Sequence, residues 1–441
     1  MNDTGHGTGK PAHPPNFFRI ASFVLAACLS LLLLACSQQD TGAAVSTVVP
    51  SFPPLPESES LRIAVASDLH FNPELRPGSA EPYEAAYSQE LVDALLRDAR
   101  QQGAELLLLT GDLCNSGRAA HHMALIEKLG RSQKDGPAIY VLPGNHDLAP
   151  ITQTEFAELY ADFGYQQAYS RDSASLSYCV LHGDLMILMM DTAGYSVGSI
   201  DLPGSHSPDS ETAFLAESTL QWAERMLQQA DERHYHVLAA GHYNLLPEVS
   251  RDPERPGYYL KNGDRLASLL RQYKVPLYLS GHQHVRAVYQ EDGLTELLTE
   301  YLLAYPTAYS VLDLTDTQIV YTPRRIDVDA WAAETGSADS LLLRFAQWQQ
   351  DELYRYSVRT VEDMSARNPL SSREKALAAD FFYRTMDSFW QGTLAENRAD
   401  LLAAPGYPHF LRSAEGYAYG WWLRDLIETA SPLLAGFSLP W

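Results

Sequence analysis

Five short apolar segments, each followed at once by a polar cluster of Gly, Asp, His or Asn, constrain this chain more than any other feature. Each segment is continuous and of strand length, which is typical of a strand buried on both faces. Because open α/β sheets place active sites at the carboxyl ends of their strands, the polar clusters should meet at one edge. The segments, residues 61–66, 106–109, 138–142, 236–240 and 275–279, precede Asp68 and His70, Asp112, Asn145 to Asp147, His242, and His282 and His284.

Helix-length stretches lie between several of these segments. Apolar residues at a spacing near 3.6 predict helices at residues 90–100, 122–131 and 216–230. Alternating strands and helices predict an α/β domain, expected at residues 61–325, in which helices cover the sheet. With 441 residues, 46% of them hydrophobic, the chain can bury a core of that size.

The pattern changes after about Pro323. Strand-like segments stop, and helices are predicted at residues 338–358, 371–390 and 416–430. Ser371 and Glu374 have the spacing of a helix-capping box. Residues 335–435 are therefore expected to form a C-terminal helical domain, whose many aromatic residues favour a packed core over a surface that stacks on substrate.

The first 35 residues have the pattern of an export signal. Lys10 and Arg19 precede an apolar stretch at residues 20–35 that is too short to span a membrane comfortably. It ends in Leu-Leu-Ala-Cys, which looks like a bacterial lipobox and predicts a lipoprotein with a cleaved signal peptide and a lipid on Cys36. An uncleaved signal anchor, or a signal cut elsewhere, is the alternative. Residues 36–60 would then be a flexible tether, with the protein anchored to a bacterial membrane outside the cytoplasm.

Charge and cysteine content exclude two classes of protein. The 32 Lys and Arg against 55 Asp and Glu give a formal charge of −23, so tight nucleic-acid binding by a basic surface is not expected. An anionic substrate would then need positive charge from another source, such as a metal ion. Outside the export segment only Cys114 and Cys179 remain, which is no disulfide framework; two buried thiols are favoured over one disulfide.

The polar clusters supply carboxylate, amide and imidazole side chains and no thiolate. Such a set suits divalent or trivalent Mn, Fe or Zn. Seven ligands are too many for one catalytic ion with open positions, but they suit two ions that share a bridge. Two such ions can hold a hydroxide as the attacking group and neutralise the oxygens of a phosphate. The seven candidates are Asp68, His70, Asp112, Asn145, His242, His282 and His284.

The motifs, taken in order, resemble the signature of the calcineurin-like metallophosphoesterases. The resemblance implies a sandwich of two β-sheets flanked by helices. The sequence around Asp112, with Asn115 and Gly117, is similar to the branch that includes class III cyclic-nucleotide phosphodiesterases, although Tyr243 stands where that branch often has a second His. The motifs are Asp68-x-His70, Gly111-Asp112, Gly144-Asn145-His146-Asp147, Gly241-His242 and Gly281-His282-Gln283-His284.

This resemblance also implies a role for each motif residue. Asp112 would bridge two metal ions, His146 would protonate the leaving oxygen, and Asp147 would orient the ring of His146. Several residues that adjoin the motifs are candidates for contact with substrate. The first ion would be held by Asp68, His70 and His284, the second by Asn145, His242 and His282, and the adjoining residues are Arg118, Tyr243, Asn244 and Arg286.

The expected function is hydrolysis of phosphodiesters, with cyclic nucleotides as one candidate substrate, by attack of a metal-held hydroxide outside the cytoplasm. A phosphomonoesterase such as a nucleotidase is the alternative within enzymes. From another class, the chain could be a non-catalytic surface lipoprotein that binds a partner through its C-terminal helices. The intact ligand set favours an enzyme, and the sequence leaves the oligomeric state open.

Overall fold

The computed structural model describes residues 60–76, 83–148, 150–193, 213–246 and 260–441. Its strands in these ranges form two mixed sheets. The strands are β1 Leu61–Ala66, β2 Leu106–Thr110, β3 Ala138–Leu142, β4 Ser170–Arg171, β5 Tyr178–His182, β6 Leu185–Met189, β7 His236–Ala240, β8 Leu277–Ser280, β9 Ala287–Glu291, β10 Leu294–Leu298, β11 Ala308–Leu314, β12 Gln318–Arg325 and β13 Phe437–Pro440.

Each sheet contains a group of parallel strands extended by antiparallel strands, on one side in the first sheet and on both sides in the second. The first has the order β13-β12-β11-β1-β2-β3, in which β1, β2 and β3 are parallel. The second has the order β4-β5-β6-β7-β8-β10-β9, in which β6, β7, β8 and β10 are parallel. All five strands that precede a polar cluster therefore belong to these parallel groups, which places their carboxyl ends together within each sheet.

Helices flank both sheets, so the expected two-sheet sandwich is confirmed. Helices α1, α2 and α4 lie within a few residues of their predicted positions, whereas α7 begins later than predicted because the 3₁₀ helix Leu342–Arg344 precedes it. The helices are α1 Ser88–Gln101, α2 Ala119–Gln133, α3 Gln153–Leu159, α4 Glu217–Glu232, α5 Gly263–Gln272, α6 Val328–Glu334, α7 Phe345–Arg367, α8 Ser372–Trp390, α9 Leu394–Leu402, α10 Tyr407–Ser413 and α11 Ala418–Glu428.

Aromatic residues form the core of the C-terminal helices α7 to α11. Phe381, Phe382 and Phe410 are fully buried, and the rings of Phe382 and Phe410 stack with centroids 5.2 Å apart. The expectation of a packed core is confirmed for these residues. The capping box is also present: the Ser371 hydroxyl accepts from the amide of Glu374, whose carboxylate accepts from the amide of Ser371.

Strands do not stop where the sequence pattern suggested. Strand β13, at Phe437–Pro440, pairs antiparallel with β12, so the last residues return to the first sheet. Four residues are too few to show alternation, and the exposed edge of β12 supplies the hydrogen-bonding partner that makes them a strand. The indole of Trp441 then stacks on His236 at the start of β7, with ring centroids 4.3 Å apart.

Two further predictions concern the cysteines and the chain's N-terminal part. Cys114 and Cys179 are both free and buried, as expected. The predicted signal peptide, Cys36 and residues 37–59 of the predicted tether lie outside the described residues. Within the described ranges, no helix combines the length and the apolar character needed to cross a membrane.

Candidate metal centre

The two sheets meet so that the loops after β1 and β8 form one half of a ligand cluster. Asp68 Oδ1 lies 3.2 Å from His284 Nε2 and 3.8 Å from His70 Nε2. The two Nε2 atoms of His70 and His284 are themselves 3.1 Å apart. Three ligand atoms that converge this closely in a buried position leave a common centre suited to a cation.

The loops after β2, β3 and β7 form the other half. His242 Nε2 lies 3.1 Å from Asn145 Oδ1 and 3.4 Å from Asp112 Oδ2. Asp112 Oδ2 also lies 3.5 Å from His70 Nε2, so one carboxylate faces both halves. The ligand atoms of Asp112, His242 and His282 all fall within 4.8 Å of one another. The structure thus brings together all seven predicted ligands, with Asp112 between two groups.

Left-handed backbone conformations orient several of the candidate ligand side chains. Five of the seven ligand residues have a positive φ, between +38° and +69°, which is uncommon outside glycine. Each such residue costs of order 1–3 kcal/mol, and residues of this kind cluster at functional sites. The five are Asp68, His70, Asp112, His282 and His284.

Glycines next to the ligands permit the close approach of neighbouring loops. A Cβ on Gly281 would lie 1.9 Å from Ser67 Oγ and 2.5 Å from Asp68 Oδ2. A Cβ on Gly144 would lie 2.2 Å from Asp112 Oδ1. Any larger residue at these two positions would push the carboxylates of the two aspartates out of place.

Hydrogen bonds set the orientation of the imidazole rings. His242 donates from Nδ1 to the carbonyl of Thr110 over 2.9 Å, which turns Nε2 toward Asp112. His70 Nδ1 is 3.3 Å from Asn115 Oδ1, which orients Nε2 in the same way. The hydroxyl of Thr192 accepts from the amide of His242 over 2.9 Å and holds that loop. Such partners of metal-binding histidines fix the tautomer that can bind the ion.

Most of the cluster already has the charge state that metal binding requires. Burial opposes ionisation of Asp68, but contact with His284 and His70 outweighs it and holds the pKa of Asp68 well below its usual range. Burial and the charge of His242 lower the pKa of His282 to about 3, so its ring is neutral. Burial likewise lowers the pKa of His70. Burial lowers the pKa of His242, but the charge of Asp112 outweighs burial and raises that pKa to about 9. Because ionised carboxylates and neutral imidazoles are the forms that bind metal ions, His242 would release a proton when an ion binds.

These residues fit a pair of metal ions. Asp68 Oδ1 is buried and makes no aligned hydrogen bond to any described residue, an arrangement that is costly unless a cation compensates it. The oxygen and nitrogen ligands suit Mn, Fe or Zn. The Asp68, His70 and His284 group and the His242 and His282 group share Asp112, as a dinuclear centre requires.

His146 lies beside this cluster, at its solvent-facing side. Its side chain is 42% exposed, and Nε2 is 4.0 Å from Asp112 Oδ2. Its Nδ1 donates to the backbone carbonyl of Asn115 over 2.9 Å. Asn115 therefore orients both His146, through its carbonyl, and His70, through its side chain. This is a position from which Nε2 can exchange a proton with a substrate.

Asp147 differs from its expected role. Its buried carboxylate accepts from the amides of Leu113, Cys114 and Gly144 over 2.8–3.1 Å, and not from the ring of His146. The expected contact is therefore wrong: three inward-facing amides attract the carboxylate, and the Asn115 carbonyl takes its place beside His146. Asp147 instead ties the loop after β3 to the loop after β2.

One supporting residue was missed from the sequence. Glu296 lies on β10, and its buried carboxylate accepts from the amides of Leu245 and Leu246 and from the hydroxyl of Ser280, over 2.7–3.1 Å. Burial raises the pKa of Glu296 to about 7. These bonds join the loop that carries His242 to the strand that precedes His282. An acidic residue inside the short leucine-rich strand Leu-Thr-Glu-Leu-Leu was the available signal.

The residues proposed to contact substrate are mostly occupied elsewhere. Arg286 is buried and donates to Glu300, and Asn244 is buried against Glu296. The ring of Tyr243 packs on that of His282, with centroids 4.1 Å apart. Arg118 is half-exposed and pairs with Glu74. Only Arg118 of these four is therefore placed to reach solvent.

The fold and the buried Asp and His cluster together define a metal-dependent phosphoester hydrolase. Residues 61–286, slightly more than half of the chain, match the family model described as Calcineurin-like phosphoesterase. The chain belongs to this family, as the motifs indicated. Among curated protein sequences, none matches the chain significantly.

Solved structures with a similar fold have low sequence identity to this chain. A dimetal phosphatase from Danio rerio is 13% identical, with a TM-score of 0.48 over 60% of this chain and 96% of its own. Purple acid phosphatase PPD1 from yellow lupin is 13% identical, with a TM-score of 0.43 over 62% of this chain and 53% of its own. GAP50 of Plasmodium, described as the anchor in the inner membrane complex, is 14% identical, with a TM-score of 0.38 over 60% of this chain and 84% of its own.

Replacing Asp112 with Ala is expected to abolish binding of both metal ions, because its carboxylate faces both halves of the cluster. His146→Ala is the matched control, since it removes a neighbouring imidazole that faces solvent and should leave two ions bound. Metal content after dialysis, measured by inductively coupled plasma mass spectrometry, checks both. Two ions retained by Asp112→Ala would contradict the bridging position.

Proposed function

We propose that this protein hydrolyses phosphodiesters, with cyclic nucleotides as one candidate class of substrate, outside the cytoplasm. The observation that carries the proposal is the position of Asp112 between two ligand groups, with His146 beside it at the solvent side. When bound, two metal ions supply positive charge against the phosphate oxygens and lower the pKa of water. The chain's own residues supply the remaining steps.

Holding the ions is the task of the seven ligands, and proton transfer that of His146. Because Nδ1 of His146 donates to the carbonyl of Asn115, Nε2 is the atom that faces the cluster. A proton on Nε2 can pass to the leaving oxygen as the phosphoester bond breaks. The exposed fraction of this side chain lets solvent restore the proton afterwards.

The ion pairs of the nearby arginines are one argument for diesters over monoesters. A phosphate monoester carries close to two negative charges at pH 7, whereas a diester carries one. Of the described residues that adjoin the motifs, Arg286 is paired with Glu300 and Arg118 with Glu74. Arg286 could therefore neutralise the second charge of a monoester only by breaking a buried ion pair, whereas the exposed pair of Arg118 would be the cheaper one to break. The sequence around Asp112 and Asn115, similar to that of the phosphodiesterase branch, supports the same preference.

Diester preference is tested by comparing turnover of bis-p-nitrophenyl phosphate and p-nitrophenyl phosphate by the Mn-reconstituted protein. We expect faster cleavage of the diester, and loss of both activities in Asp112→Ala. Faster monoester cleavage would change the assignment to a phosphomonoesterase. Absence of turnover on either substrate, with two ions bound, would favour the alternative of a non-catalytic lipoprotein that binds a partner.

The role of His146 predicts a dependence on the leaving group. His146→Ala should lower kcat by about 10²–10⁴ on diesters with alkyl leaving groups, which need a proton as the bond breaks. With p-nitrophenyl leaving groups the loss should be much smaller, because p-nitrophenolate leaves without protonation. A series of diesters of increasing leaving-group pKa gives the slope of log kcat against that pKa. Equal slopes in the variant and the parent would exclude proton donation by His146.

Anchoring through a lipid on Cys36 is a further part of the proposal, supported by the Leu-Leu-Ala-Cys sequence after the apolar stretch. Cells that express the full chain and are fed radiolabelled palmitate should incorporate the label. Cys36→Ser should abolish the labelling, whereas Cys28→Ser, the matched control in the same segment, should retain it. Labelling of Cys36→Ser would place the lipid elsewhere.

A further inference from the structure

The loop between β10 and β11, residues 299–307, links the ligand cluster to the C-terminal helices; we call it the connecting loop. At its start, the backbone of Tyr301 forms a parallel bridge with Ser67. The amide of Leu302 lies 3.4 Å from the carbonyl of Asp68, to which it donates. The connecting loop is therefore attached to the same segment that carries the ligands Asp68 and His70.

The ring of Tyr301 contacts two of the predicted metal ligands directly. It stacks on His284, with centroids 4.5 Å apart and planes 15° apart. It meets His70 edge to face, with centroids 5.1 Å apart and planes at 90°. Both histidines belong to the half of the cluster that contains Asp68. Rotation of either imidazole about its Cβ–Cγ bond would move Nε2, and the half-buried phenol ring opposes that rotation for both.

The other end of the connecting loop is held by the C-terminal helices. The hydroxyl of Tyr305 donates to Asp387 Oδ1 of α8 over 2.5 Å, and Gln391 donates to the same oxygen over 2.7 Å. Gln349 of α7, which is buried, donates to Thr307 Oγ1 over 2.8 Å. Two helices thus hold the later part of the connecting loop, at Tyr305 and Thr307.

We propose that Tyr301 is a positioning residue that fixes the rings of His70 and His284 for one of the two metal ions, and that α7 and α8 hold Tyr301 in place through the connecting loop. This assigns the C-terminal helices a part in assembling the metal centre. The inference rests on the two-ion centre of the proposed function, and it is independent of which phosphoester is cleaved.

The first test compares the Mn²⁺ affinity of Tyr301→Leu with that of the parent chain, by calorimetry and by the electron paramagnetic resonance signal of the coupled ion pair. Loss of a residue that orients metal ligands typically weakens affinity about 10- to 100-fold. We expect that loss at one of the two sites, with the coupled signal replaced by that of a single ion. Tyr301→Phe keeps the ring and should retain parental affinity at both sites.

A matched control separates positioning from general destabilisation. Tyr169 is also half-buried, but it contacts Gln229 and Arg233 beside α4 and touches no predicted ligand. Tyr169→Leu should keep both metal affinities. Parental affinity at both sites in a folded Tyr301→Leu would overturn the proposal. An equal loss in Tyr301→Phe would also overturn it, because the hydroxyl and not the ring would then be responsible.

The second test acts at a distance from the ligands. Asp387→Ala and Gln349→Leu remove the bonds that hold the connecting loop, and each should weaken Mn²⁺ affinity at the same single site, by less than Tyr301→Leu does. These variants also serve if Tyr301→Leu fails to fold. Unchanged affinity in both would overturn the part assigned to α7 and α8. If the parent chain binds two ions but cleaves no phosphoester, the proposed function fails while these affinity comparisons still decide the role of Tyr301.

Discussion

The position of a single carboxylate, Asp112, sets what the rest of this structure must achieve. Its Oδ2 lies about midway between His70 and His242, which follow strands of different sheets. A carboxylate at this depth is costly unless opposite charge surrounds it. The two sheets therefore have to pack so that the carboxyl ends of β1, β2, β3, β7 and β8 meet. The hydrogen bond from His242 to the carbonyl of Thr110 joins the two sheets at that point.

Local backbone strain accompanies this convergence. Five ligand residues in the left-handed region, and glycines that admit no Cβ, show that the loops cannot relax to ordinary conformations while the ligands converge. The compensation comes from buried polar contacts. Asp147 accepts from backbone amides of two chain segments. Glu296 accepts from the amides of one segment and from the Ser280 hydroxyl of another, so both residues hold the ligand loops together. Neither residue needs to touch an ion to be necessary for the site.

Two connections join the C-terminal part of the chain to the sheets and to the ligand cluster. Strand β13 returns the end of the chain to the edge of the first sheet, and Trp441 then reaches the second sheet through His236. The connecting loop ties α7 and α8 to the segment that carries Asp68 and His70. A mutation in these helices can therefore affect the ligand cluster through packing and hydrogen bonds, over a distance at which no direct contact exists.

The sequence by itself determined the five strands and the seven candidate ligands that follow them. A buried strand and the polar turn after it are local features, and parallel strands bring their carboxyl ends to one edge of a sheet. That the edges of two sheets meet was decided by tertiary packing. The capping box at Ser371 was equally local, and it is present. The tertiary structure alone decided the contacts of Asp147, Glu296 and Tyr301 and the pairing of β13. Each depends on which of several donors, rings or strand edges lies nearest after folding, and Ser67 and Tyr301 are too far apart in the chain for any sequence period to relate them.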